Sequence, residues 1–134
     1  MPEGVGYGPQ STASIGNNLN YLGRFVYAYS GYVGVDNTET SVLKFRTGNG
    51  LIRVDIVLNY SGTNQVFSED FAWKVKMNGK VIMGLVMLGA GLESPPQYFP
   101  MLIPSYTEMD FTAANVTDSD TRNMSVILSG RVYP

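Results

Sequence analysis

Apolar and polar positions alternate with a period of two through most of this chain, and no helical period of useful length appears. Residues 21–35, YLGRFVYAYSGYVGV, place Phe25, Tyr27 and Tyr29 on one face and Val26 and Ala28 on the other. A bend or bulge is predicted near Ser30-Gly31. Residues 40–47 set Val42, Lys44 and Arg46 against Leu43, Phe45 and Thr47. Residues 51–60 put Ile52, Val54, Ile56 and Leu58 on one face. A short strand is expected over 99–103, closed by Pro104. Residues 106–113 alternate Met109, Phe111 and Ala113 with Glu108, Asp110 and Thr112. The last strand, 123–133, turns Met124, Val126, Leu128 and Val132 to one side. Polar turns at 36–38, 48–50 and 117–121 separate these runs.

The central feature is a hairpin over residues 70–88, DFAWKVKMNGKVIMGLVML. Asn78-Gly79 favours the tight two-residue turn of a β-hairpin. A regular ladder from that turn pairs Met77 with Lys80, Val75 with Ile82, Trp73 with Gly84 and Phe71 with Val86. The second strand is apolar on both faces, so both faces are expected to be covered. The sandwich core supplies one cover. A loop or a neighbouring subunit supplies the other, and the exposed contact is expected near Val81, Met83 and Leu85.

About eight short strands with regular turn signals predict an all-β domain. The architecture expected is a two-sheet antiparallel sandwich of jelly-roll type spanning residues 21–134. Residues 1–20 carry Gly and Pro among small polar residues and show no period. They read as an extended N-terminal arm, with Val5, Tyr7 and Ile15 as its few apolar anchors.

Composition narrows the chemistry more than the fold. The chain has 134 residues, of which only 15% are charged, well below the usual proportion, and surfaces poor in charge are often covered ones. The formal net charge of -2 gives no electrostatic reason to expect nucleic acid as a partner. There is no Cys, hence no disulfide and no thiolate metal site. There is no His, which removes the commonest general base and transition-metal ligand. No cofactor is expected. The N-terminal residues do not resemble a signal peptide, and the apolar stretch 81–92 is too short to span a bilayer, so no membrane partner is expected and synthesis is placed in the cytoplasm.

Three acidic groups are candidates on sequence: the adjacent Glu69 and Asp70, Glu108 with Asp110, and Asp118 with Asp120. Glu108 and Asp110 lie on the polar face of a strand, where solvated carboxylates are ordinary, and no catalytic residue is assigned. Asp118-Ser119-Asp120 has oxygens suited to Ca²⁺ but lacks the rest of a binding loop, so a capped turn is the reading. The abundant Tyr residues suit a sandwich rim, a subunit interface or a sugar platform equally well.

Two segments carry a resemblance. One runs over residues 19–50 and contains Asn20-Tyr21 and Tyr27-Ala28-Tyr29-Ser30-Gly31. The other closes the chain, from Ile103-Pro104 through Asn115 to Ser129-Gly130-Arg131-Val132-Tyr133. Together they resemble the small jelly-roll decoration (cement) proteins of tailed bacteriophage capsids. The resemblance implies a non-enzymatic virion protein on the capsid surface. It also implies self-association, typically as a homotrimer, and contact with the major capsid protein. The arm and the apolar face near Val81, Met83 and Leu85 are the contact surfaces expected on this reading. The alternatives are a glycan- or receptor-binding module of a tail fibre and a jelly-roll shell protein that assembles alone.

Overall fold

A computed structural model describes residues 19–60, 69–89 and 97–133. They form ten strands. These are β1 (Asn20–Leu22), β2 (Phe25–Tyr29), β3 (Val33–Val35), β4 (Thr40–Arg46), β5 (Leu51–Tyr60), β6 (Phe71–Met77), β7 (Lys80–Met87), β8 (Gln97–Ile103), β9 (Glu108–Asn115) and β10 (Arg122–Tyr133). Two antiparallel sheets result. One is ordered β1-β2-β10-β5-β8, with β3 also paired to β10, and the other β4-β9-β6-β7. The two-sheet antiparallel sandwich expected from the alternation is therefore the architecture.

The pairing is nested. β6 pairs with β7, β5 with β8, β4 with β9, and β2 and β3 with β10. A long hairpin folded back on itself gives this pattern. Two further ladders, β5 with β10 and β6 with β9, close the sheets.

The first aromatic run explains why there are ten strands and not about eight. Gly23, at φ +61°, turns β1 into β2. Gly31, at φ +70°, lies in the break between β2 and β3, and both pieces pair with β10. Ser30 bridges that break: its backbone N–H donates to the Val126 carbonyl at 3.0 Å, and its hydroxyl accepts from the Val126 N–H at 2.8 Å. Leu19 and Asn20, read from composition as the end of the arm, belong to the sandwich. Leu19 is buried and Asn20 opens β1.

The core lies between the sheets as one apolar cluster. Ile52, Ile56 and Leu128 come from one layer, and Phe71, Trp73 and Phe111 from the other. Each of these residues lies on the inward face of its strand, alternating with outward neighbours. The Trp73 indole N–H donates to the Met87 sulfur at 2.8 Å, so the one buried Trp keeps a polar partner.

The central hairpin corrects the register expected for it. Asn78 and Gly79 have φ of +52° and +84°, as the tight turn requires. Met77 pairs with Lys80, but a bulge between Val75 and Lys76 leaves Ile82 as an extra residue. Val75 therefore faces Met83, Trp73 faces Leu85 and Phe71 faces Met87. Gly84 lies opposite Lys74, not Trp73.

Candidate functional site

The bulge also re-sorts the expected contact face. Met83 and Leu85 pair with the buried Val75 and Trp73, so they face inward and pack partly buried against the core. Val81 alone of the three is exposed, at 54%. The outward apolar positions of β7 are Val81 and Val86, with Ile82 exposed at the bulge and Leu88 exposed just after the strand. Val5, Tyr7 and Ile15 lie outside the described residues.

Next to β7 the outer face of the four-stranded sheet is polar. Glu39 binds the Lys76 ammonium at 2.7 Å, accepts from the Thr112 hydroxyl at 2.7 Å and lies 3.8 Å from Lys74. The hydrogen bond from Lys76 leads the effects that hold the Glu39 carboxyl below its ordinary range. Glu108 lies 3.9 Å from Lys44, and Asp110 accepts from Ser41 at 2.6 Å. These carboxylates sit in surface networks with their lysine and hydroxyl partners.

The opposite surface is different. On the outer face of the six-stranded sheet the ladder registers align large apolar side chains across four and five strands. Tyr29, Ile127, Val57 and Tyr98 form one row. Tyr27, Ser129, Asp55 and Pro100 form the next, and Leu22, Phe25, Arg131, Arg53 and Leu102 the third. Leu22, Tyr29, Tyr98 and Leu102 are each at least 60% exposed. A mainly apolar face of this extent marks an interaction surface.

Polar groups interrupt it on the two central strands, where Ser129 and Arg131 of β10 lie beside Asp55 and Arg53 of β5. Arg53 pairs with Asp55 at 3.2 Å, and the Tyr98 hydroxyl donates to Asp55 at 3.0 Å. That hydrogen bond is the first cause of the raised Tyr98 pKa. The Arg131 guanidinium lies 5.3 Å from the centre of the Phe25 ring, and the Tyr27 and Tyr29 rings lie 5.4 Å apart. Alternation had separated Phe25, Tyr27 and Tyr29 from Val26 and Ala28. It did not say that the small residues fill the core and the rings face out.

A cluster at one end of the sandwich holds the remaining acidic candidates. Glu69, Asp118 and Asp120 bring carboxylate oxygens within 4.8 Å of one another. Glu69 is buried and accepts two bonds from Arg122, at 3.0 and 3.2 Å. Arg122 leads the effects that hold the Glu69 carboxyl low. The bond to Glu69, reinforced by the charge of Asp118, pushes Asp120 up. Asn115 organises the turn: its amide donates to Asp118 and to the Asp120 carbonyl, and its oxygen accepts from the N–H groups of Thr117 and Asp118. The cluster is thus a capped turn locked by a buried ion pair, with Glu69 the member that spacing had missed. Glu69 is 49 positions before Asp118 in the sequence, and only the fold joins them.

No family model matches the chain, and no curated protein matches it.

Proposed function

We propose that this chain is a structural protein of a tailed-phage particle. In this reading it decorates the capsid surface, self-associates, and stabilises the shell by bridging major capsid subunits. The observation that carries the proposal is the broad apolar outer face of the six-stranded sheet. A face that large requires a macromolecular surface to cover it. The nested strand pairing supports the jelly-roll fold that the resemblance implies. The N-terminal segment with Val5, Tyr7 and Ile15 serves as a contact with the shell. The reading involves no catalytic step and no cofactor.

The exposed Tyr29 and Tyr98 favour a second reading, a glycan- or receptor-binding module, because a ring beside a carboxylate such as Asp55 suits a sugar. The aliphatic side chains between them, Ile127 and Val57, offer sugar hydroxyls nothing, which ranks this reading second. Particles assembled with and without the chain provide the test. Those lacking it are expected to release their nucleic acid several degrees lower on heating. Identical release temperatures would remove the cementing role.

A further inference from the structure

We infer that the outer face of the six-stranded sheet packs on the same face of a second copy of this chain, closing a two-fold dimer. The inference rests on the self-association in the proposed function and not on its capsid half. The first argument is size. With aromatic side chains burying roughly 150–250 Å² when covered, the exposed large apolar residues of this face amount to about 900 Å². A stable complex needs about 800 Å² from each partner.

The second argument is self-complementarity. The row containing Tyr27 and Asp55 lies beside the row containing Phe25 and Arg53. A two-fold axis in the interface, running across the strands between these rows, exchanges them. Asp55 of one copy then meets the second copy's Arg53, and Tyr27 meets the second copy's Phe25. Opposite charges two residues apart on one strand thus pair across the axis, and Arg131, beside Arg53 in its row, faces the second copy's Ser129 next to its Asp55. Sheets stacked face to face interdigitate their side chains about 10 Å apart, so the second copy adds further layers to the same sandwich.

The occupied face also dictates the number. A patch that packs on itself is isologous and closes at two, whereas a trimer needs two different patches.

Light scattering coupled to gel filtration, on the full chain across a wide concentration range, reads the assembly directly. The wild-type chain is expected to run as a dimer. Ile127→Glu, on the central strand β10 of the face, is expected to raise the dimer dissociation constant at least ~30-fold while its circular dichroism is unchanged. Tyr98→Glu on edge strand β8 is expected to do the same and stands in if Ile127→Glu fails to fold. Val86→Glu, on the outward face of β7, is expected to leave the dimer intact. Asp55→Arg is expected to weaken the dimer, and the swap Arg53→Asp with Asp55→Arg to restore it. A monomer at every concentration, a trimer, or dissociation by Val86→Glu in place of Ile127→Glu would overturn the inference. So would a monomer that dimerises only after residues 1–18 are removed, since the arm would then be the occupant. Failure here leaves the heat-release test of the particle untouched, so the two ideas fall separately.

Discussion

Gly130→Ala is expected to destabilise the fold by about 3–4 kcal/mol, the upper range for a residue forced into a packed site. Gly130 sits in β10, between β2 and β5, opposite Val26 and Val54. A methyl group there would overlap the Arg53 carbonyl oxygen and lie 2.6 Å from the Val54 α-carbon. Both obstacles are backbone, so no rotamer change relieves them. The strands must part, and β10 carries the ladders of both its neighbours. At Gly84 an added methyl meets only the Trp73 carbonyl at 3.5 Å, an ordinary contact. Gly84→Ala is therefore expected to stay within about 0.5 kcal/mol of the parent. Urea unfolding of both variants checks the contrast. Equal midpoints would mean that the β5–β10 approach does not require glycine.

Arg122→Ala is expected to cost about 3 kcal/mol, the low end for removing one partner of a buried pair because Arg122 is partly exposed. Glu69 is 1% exposed, and Arg122 binds both of its oxygens. Without the guanidinium, the carboxylate remains buried without its counter-charge. The pH dependence follows from the direction of the shift. In the parent, the Glu69 carboxyl titrates below its unfolded value. Its contribution is present above the ordinary glutamate range and is lost as pH falls through the folded value. In the variant, burial pushes that carboxyl up, so the deficit is greatest near neutral pH and shrinks as acid protonates Glu69. Thermal melts at neutral and acid pH read both effects. A deficit that does not change with pH would show that packing of the Arg122 stem, not charge, is what was lost.

The two residues differ in how visible they are beforehand. Gly130 stands in a strand whose alternation, Met124, Val126, Leu128 and Val132, was plain, but a glycine in a strand does not say which backbone comes close. The Glu69–Arg122 pair joins positions that no local period connects. Where one face is wholly apolar, as with Ile52, Val54, Ile56 and Leu58, alternation and burial agree at every position. Where both faces are apolar, as on β7, a single extra residue decides which side chains face in. Ile82 has no local signature as a bulge, so Met83 and Leu85 were placed on the wrong side. The outer face of the six-stranded sheet was legible as strands but not as a surface. Hydrophobicity would send Phe25, Tyr27 and Tyr29 inward, yet the small Val26 and Ala28 fill that part of the core. That inversion produced the candidate interface.

The most direct test of the structural role is a count. Quantitative mass spectrometry of purified source particles, comparing this chain with the major capsid protein, is expected to give a simple high ratio with many copies per shell. A few copies per particle would instead favour the tail and the receptor-binding reading. Absence of the chain from particles would contradict the virion assignment altogether.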